Sequence, residues 1–407
     1  MPGPGSELIG DAELAEIKEV LAGGYLARYG PPDGFPAKVL AFEQEVIRRS
    51  GVRHALAVNS GTSALWLALA GLGVGPGDEV IVPGFTFVAS ISSIVYSGAL
   101  PVLAEVDQSF NLDPDDVETR ITPSTKAILV VHMLGSPARL KELREVADRH
   151  GVSLIEDAAQ AFGGTYEGAW LGAHGDAGVF SFNIYKTITS GDGGMLVTDD
   201  PDLYRRCFAL HDQGHSPNRT GVEVGKRPML GLNFRMVELQ GAVLLAQLGR
   251  LDRIRSHLRR NHRIVYEALA GLPGIGFRDC PDTDGDLATH LVVVFSTPEI
   301  AQRVAAELGS ITLSESGWHV YSKMEHLLEG RIAGGHGFPF GRGRGRGESE
   351  YNAGMLPDTD ALLARSMSIG IGVVDPNLAP LGLGMSAGPE QAEQLAGRIR
   401  TVMTRHL

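Results

Sequence analysis

From His54 onward the chain alternates two hydrophobic patterns. Short continuous apolar runs come first: His54 to Val58, Glu79 to Val82, Leu100 to Glu105, Ala127 to Val131 and Val152 to Ile155. Between them lie Ala64 to Leu72, Thr86 to Ser97, Asp113 to Arg120 and Arg139 to His150, whose apolar residues recur at helical spacing. Strands alternating with amphipathic helices predict βαβ units and a mostly parallel sheet. The strands lack polar alternation, which predicts that both faces of that sheet are covered. Upstream, Phe35 to Ser50 reads as a helix with Val39, Phe42, Val46 and Ile47 on one face, stopped by Gly51. Residues 1–35 are rich in Gly and Pro, with a short helical pattern at Asp11 to Leu21, and read as an N-terminal arm that needs another surface to pack on.

The rhythm changes at Phe180 to Thr198, FSFNIYKTITSGDGGMLVT, which predicts a strand, a polar loop holding Lys186, a glycine turn and a second strand. A helix at Pro201 to Leu210, a long polar loop at 211–230 and a long helix from Val237 to Leu269 follow. Sparser elements complete the chain: a strand at His290 to Ser296, a helix at Pro298 to Leu308 and a last helix at Pro389 to His406. The expected organisation is an α/β protein with the arm at 1–35, a large domain at 36–250 and a small α+β domain at 251–407.

Composition narrows the function. A formal net charge of -12 argues against general nucleic-acid binding, which needs a basic face. Cys207 and Cys280 are too few for a disulfide framework or a structural zinc site. The N-terminus lacks the basic and apolar regions of a signal peptide, and no run of about 18 apolar residues predicts a membrane span. A soluble cytoplasmic protein without a metal site is the expectation.

Candidate chemistry concentrates at three points. Asn59-Ser60-Gly61-Thr62-Ser63 joins a strand to a helix, where free N–H groups and the helix dipole suit a phosphate, although a plain N-cap uses the same residues. Asp157, in EDAAQ, follows a buried strand at the end where open α/β sheets bind ligands; a turn-starting cap is the plainer alternative. Lys186 by itself reads first as a solvated surface charge. Taken in order, however, a phosphate-type turn, an aromatic segment with Phe85 and Phe87, a strand-end acid and a loop lysine fit a pyridoxal phosphate enzyme. That cofactor needs a lysine for its Schiff base, an acid at the pyridine nitrogen, a phosphate cup and a flat apolar surface. Ser181 adds a hydroxyl to the cup.

NSGTSAL at 59–65, PGFTFVAS at 83–90, EDAAQAFGG at 156–164, GDAGVFSFNIYKTITSGDGGM at 175–195 and GLNFRMVELQGAVLLAQL at 231–248 resemble the DegT/DnrJ/EryC1/StrS family of sugar aminotransferases. The resemblance runs over nearly the whole chain. It implies the fold-type I architecture of pyridoxal phosphate-dependent transferases, with a mostly parallel seven-stranded sheet between helices and a smaller C-terminal domain. It also implies that Lys186 carries the Schiff base, Asp157 pairs with the pyridinium nitrogen, Gln160 reaches the ring oxygen and Phe87 stacks on the ring. Gly61, Thr62, Ser63 and Ser181 would hold the phosphate. Asn233 would reach the cofactor of a neighbouring subunit, which implies a homodimer with interfacial active sites.

The implied reaction moves an amino group from an amino acid, with glutamate the expected donor, to a keto-sugar, through the pyridoxamine 5'-phosphate form. Family relatives that act as dehydratases have His in place of the lysine, so Lys186 argues for transamination. Many members carry a His-Pro pair before the lysine, where this chain has Asn183-Ile184-Tyr185. Segments 316–328 and 355–375 resemble a branch acting on CMP-linked octulosonate-type sugars. Tyr185, His319, Tyr321, Arg342 and Arg344 are the candidate sugar contacts; a solvated Gly-Arg loop is the plainer reading of Arg342 and Arg344. Elimination or carbon–carbon bond formation on the same scaffold, or a non-catalytic cofactor-binding sensor, remain the alternatives. A nicotinamide enzyme fits less well, because Gly73, Gly75 and Gly77 follow a helix and not the first strand.

Overall fold

The computed structural model describes residues 3–29, 37–217, 227–333, 339–340 and 351–407. Thirteen strands form three sheets: β1 His54–Val58, β2 Glu79–Pro83, β3 Leu100–Ala104, β4 Thr125–Val131, β5 Ser153–Asp157, β6 Thr165–Tyr166, β7 Ala169–Trp170, β8 Ala177–Ser181, β9 Gly194–Thr198, β10 Ile275–Phe277, β11 His290–Phe295, β12 Ser366–Ile371 and β13 Gly382–Leu383. The large sheet has seven strands in the order β1-β9-β8-β5-β4-β2-β3. Strands β3, β2, β4, β5 and β8 run parallel, while β9 is antiparallel to both its neighbours. The sheet is therefore mostly parallel, as the alternation predicts.

Its strands are buried on both faces, and the side chains divide by period two. Ala55 and Ala57 join the core on one face; Leu56 and Val58 join the core on the other. Ile128 and Val130 divide in the same way from Leu129 and Val131. Hence the runs look continuous in sequence although each strand still alternates. The second sheet has four strands in the order β10-β11-β12-β13 and packs with helices Leu251–Leu269, Pro298–Leu308 and Pro389–His406.

Register places the chemistry. Asp157, the last residue of β5, pairs with Val179 in β8. Ser181, the last residue of β8, pairs with Gly194, which in turn pairs with Val58 at the end of β1. The ends of β1, β5 and β8 thus meet along one carboxyl edge of the sheet.

Two expectations change. The segment Val237 to Leu269 is not one helix but two, Glu238–Leu248 and Leu251–Leu269. Glycine at 249 weakens the helix, and the Arg250 guanidinium turns to the Leu8 carbonyl (2.7 Å) and to Glu13. Second, the start of the arm finds its surface within this chain. Ser6 Oγ donates to the Ile184 carbonyl (2.9 Å), and Gln247 Nε2 donates to the Gly5 carbonyl (3.0 Å). A Cβ at Gly3 would stand 2.7 Å from the Tyr185 carbonyl carbon. The arm braces the loop that carries Lys186. Among the described residues no helix is long and apolar enough to cross a membrane.

Candidate active site

Two adjacent acids end β5, and hydrogen bonding separates their roles. Glu156 accepts from His132 Nε2 (3.0 Å) and from the backbone N–H groups of Gly172 (2.8 Å), His174 (2.6 Å) and Gly175 (2.6 Å). Ala138 N–H donates to His132 Nδ1 (3.2 Å), which makes Nε2 the protonated nitrogen. Burial alone would raise the Glu156 carboxyl; the hydrogen bond from His132 leads the groups that hold it below its ordinary range. Its acceptor positions are filled, so Glu156 ties the sheet to the 172–175 turn.

Asp157 is held by fewer groups. Oδ2 accepts from Ser90 Oγ (2.8 Å) and Oδ1 from the Ala159 N–H (3.1 Å). Ser90 lies 2.8 Å from Thr86 Oγ1, and both residues are fully buried. A carboxylate has no proton to give, so Ser90 donates to Asp157 and Thr86 donates to Ser90. Burial pushes the Asp157 carboxyl up; the Ser90 and Ala159 hydrogen bonds and the Lys186 charge work against it. Lone pairs remain for a further donor.

Lys186 is half-buried in the loop between β8 and β9, with its N–H on the Asn183 carbonyl (2.9 Å). Burial lowers its ammonium pKa, opposed by Asp157 and Asp375. A lowered pKa brings the neutral, nucleophilic amine closer to working pH. The lysine lines a small cleft shared with Gln160, Tyr185, His290, His319 and Asp375. Gln160 Oε1 accepts from the Leu134 N–H (2.9 Å), which orients the carboxamide and leaves its nitrogen as the end for another acceptor.

Along the same edge, helix Gly61–Gly71 begins. Ser60 is its N-cap and accepts from the Ser63 N–H (3.1 Å). The N–H groups of Gly61 and Thr62 lie in the first turn, which has no intrahelical acceptors. A Cβ at Gly61 would stand 2.8 Å from Ser181 Cβ, so glycine is what lets the helix start approach the end of β8. The Ser63 hydroxyl donates to Asn59 Oδ1 (2.7 Å), so it is already engaged, while Thr62 is exposed. The turn is both an N-cap, through Ser60, and an open cradle, through Gly61, Thr62 and Ser181.

The remaining candidates divide. Phe87 is 37% exposed and stands beside Trp318 (ring centroids 6.2 Å, nearly parallel) and His319 (5.6 Å). Phe85 is fully buried against Phe110, so it belongs to the core. His319 is buried beside the cleft, and burial lowers its pKa to about 3. Tyr321 does not meet the expectation of a sugar contact. It is fully buried; its hydroxyl donates to Asp360 (2.8 Å) and accepts from the N–H groups of Gly354 (3.1 Å) and Leu356 (3.0 Å), which fills its capacity. Asn233 is exposed, and its segment runs beside the 59–63 turn through the Asn59 N–H to Phe234 carbonyl bond (2.8 Å). Arg342 and Arg344 lie outside the described residues. Ser90, Thr86, His290 and Asp375 escaped the sequence reading.

The chain belongs to the DegT/DnrJ/EryC1/StrS aminotransferase family, whose model matches residues 7–312, and pyridoxal phosphate dependence comes with that family. Among its relatives, GDP-perosamine synthase of Caulobacter vibrioides is 46% identical over 228 residues, which are 56% of this chain and 60% of that protein. The match thus spans less than two thirds of that relative. L-glutamine:2-deoxy-scyllo-inosose aminotransferase of Streptomyces kanamyceticus is 41% identical over 312 residues, 74% of this chain and 72% of that one. The crystal structure of DesV from S. venezuelae, in complex with a ketimine intermediate, shares 33% identity, with a TM-score of 0.76 over 96% of this chain and 94% of that one.

Proposed function

We propose that this aminotransferase moves an amino group from an amino acid, glutamate or glutamine, to a ketone on a sugar or cyclitol ring, free or nucleotide-linked. The observation that carries the reading is the Asp157 carboxylate, held by two donors at the sheet edge with Lys186 beside it. When bound, pyridoxal phosphate supplies the electron sink that makes the amine-bearing carbon acidic.

The donor set fits that cofactor. The Gly61 and Thr62 N–H groups with the Thr62 and Ser181 hydroxyls would receive the phosphate, an arrangement suited to an anion at a helix start. Asp157 would hold the proton on the ring nitrogen, and the Gln160 amide would donate to the ring oxygen. Phe87 would cover the ring face and exclude water. Lys186 would anchor the cofactor, then take and return the proton at the reacting carbon, two tasks a positioned amine can perform. Asn233 would act in the partner's site of a homodimer. Exposed Leu230, Leu232 and Val237 beside it support that reading, since apolar side chains clustered at a surface mark a contact face. Two free cysteines accord with a cytosolic setting.

The test is spectroscopic. Protein loaded with cofactor should lose the absorbance of the lysine-bound form when given L-glutamate or L-glutamine, release pyridoxamine 5'-phosphate on denaturation, and recover when a keto-sugar is added. Lys186→Ala should show neither change. A protein that binds no cofactor, or a Lys186→Ala variant that turns over like the parent, would sink the proposal.

A further inference from the structure

Gly3, Pro4 and Gly5 are buried although they belong to the arm. Two distant segments cover them. The first is the backbone of the lysine loop. Ser6 Oγ donates to the Ile184 carbonyl (2.9 Å), and a Cβ at Gly5 would stand 2.6 Å from the Thr189 nitrogen. Gln247 joins the two backbones and is 1% exposed. Its Nε2 donates to the Gly5 carbonyl (3.0 Å), and its Oε1 accepts from the Thr189 N–H (2.8 Å). Both ends of one buried carboxamide are used, which fixes the separation of arm and loop.

The second segment is the end of the smaller sheet. Glu7 Oε2 accepts from the N–H of Met385, just past β13 (2.9 Å). Pro4 packs against Gly372, the residue after β12, where a Cβ would stand 3.3 Å from the proline ring. Val373 and Asp375 follow at once, and they line the same cleft as Tyr185, Lys186 and Thr187. The cleft thus takes part of its wall from the lysine loop and part from the end of β12. Residues 3–7 are attached to both.

We propose that residues 3–7 are a strap that sets the Lys186 loop against the smaller sheet, with Gln247 and Glu7 as positioning residues at its two ends. Gln247 fixes the strap to the loop, and Glu7 fixes it to the sheet. Neither touches the reacting atoms. A lysine that moves a proton must hold its amine within hydrogen-bond reach of the reacting carbon. A shift of the loop backbone carries the amine with it, and small misplacements slow a reaction steeply. Through the strap, the position of Lys186 depends on where the smaller sheet lies. The consequence at Lys186 deepens the proposed amino transfer and rests on that reading; the mechanical link does not.

Hydrogen exchange of the purified full chain, read by mass, tests the link. Single-turnover absorbance of the cofactor-loaded enzyme with L-glutamate or L-glutamine tests its effect on Lys186. Ser6→Ala removes the bond to Ile184, so amides 183–191 should exchange about fivefold faster, the equivalent of one hydrogen bond. Gln247→Met removes both bonds of the bridge and should exceed Ser6→Ala in both readouts. Glu7→Ala is the decisive variant, because Glu7 bonds Met385 and not the loop. It should speed exchange at 183–191 as well as at 383–387, and Glu7→Gln, which keeps an acceptor for Met385, should recover part of the loss. Ser6→Ala and Glu7→Ala should each slow the donor half-reaction about three- to tenfold at saturating donor, with the half-saturating donor concentration within about twofold of wild type. Faster exchange confined to 383–387 in Glu7→Ala, or spread over the whole chain, overturns the strap. A faster loop with a half-reaction within about twofold of wild type overturns its role at Lys186. Exchange needs no turnover: a wild type that performs no half-reaction removes the transaminase reading, while the exchange pattern still decides the strap.

Discussion

Replacing Ser90 by alanine removes one hydroxyl from the chain Thr86–Ser90–Asp157 and leaves the rest of the buried wall in place. The lost bond is 2.8 Å long and donates to a carboxylate. Hydrogen bonds to charged groups contribute about 1.5–3 kcal/mol. The donor favours the charged form, so its removal raises the Asp157 carboxyl pKa further in the direction burial already drives it. A carboxyl that more readily holds its own proton stabilises a protonated ring nitrogen less well. The same energy converts to a roughly ten- to hundredfold slower amino-donor half-reaction. The acid limb of its pH profile should move to higher pH. Single-turnover absorbance across pH reads both effects. Thr86→Val, which only leaves Ser90 less well oriented, should fall between Ser90→Ala and wild type. Ser93 is the control, because its hydroxyl bonds only the Ser90 carbonyl of its own helix (3.0 Å). If Ser90→Ala reacts within twofold of wild type, or Ser93→Ala loses as much, the chain does not act through Asp157.

Other sites give independent checks. Gly61→Ala places a Cβ 2.8 Å from Ser181 Cβ; the helix start must back away from β8, and cofactor affinity measured by equilibrium dialysis should fall at least tenfold, whereas an unchanged affinity would separate this turn from the phosphate. Arg28 Nη2 donates to both Glu43 oxygens (2.7 and 2.8 Å) with both side chains nearly buried, so Arg28→Ala strands a buried carboxylate and should cost about 3–5 kcal/mol in urea unfolding; a loss under about 1 kcal/mol refutes the pairing. Glu238 caps helix Lys38–Ser50 by accepting from the N–H groups of Lys38 (2.5 Å) and Val39 (3.3 Å), and burial raises its pKa to about 7. Because the folded state holds this proton to a higher pH than the unfolded chain, its contribution is full below about 4.5 and declines as pH rises through about 7. Glu238→Gln should therefore match wild type near pH 5 and exceed it at pH 8, by up to about 3 kcal/mol; a difference that does not grow with pH refutes the assignment.

The order of strands, the lysine loop and the strand-end acid were legible because each is written locally. A buried strand needs only a run of Val, Ile and Leu. A helix start needs Ser60 and Gly61 in succession, and the loop around Lys186 is bounded by Phe180 and Gly194. Contacts between distant segments left no such mark. Phe85 and Phe87 look interchangeable in the sequence, and only packing sends one into the core and leaves the other open beside Trp318. Tyr321 carries the composition of a sugar contact, but its three hydrogen bonds to the 354–360 segment decide otherwise.

The chain by itself therefore determined the class of architecture and put forward the candidate reacting groups, since periodicity and side-chain chemistry are properties of single segments. Tertiary structure alone decided which of two neighbouring acids is free to act. Glu156 and Asp157 are consecutive, but the strand sends them to opposite faces, one to four donors and the other to the serine chain. It decided as well that His290 and Asp375, 85 positions apart, share one cleft with Lys186. Hydrogen-bond satisfaction is settled by whatever the fold brings within about 3 Å, and no local pattern encodes that.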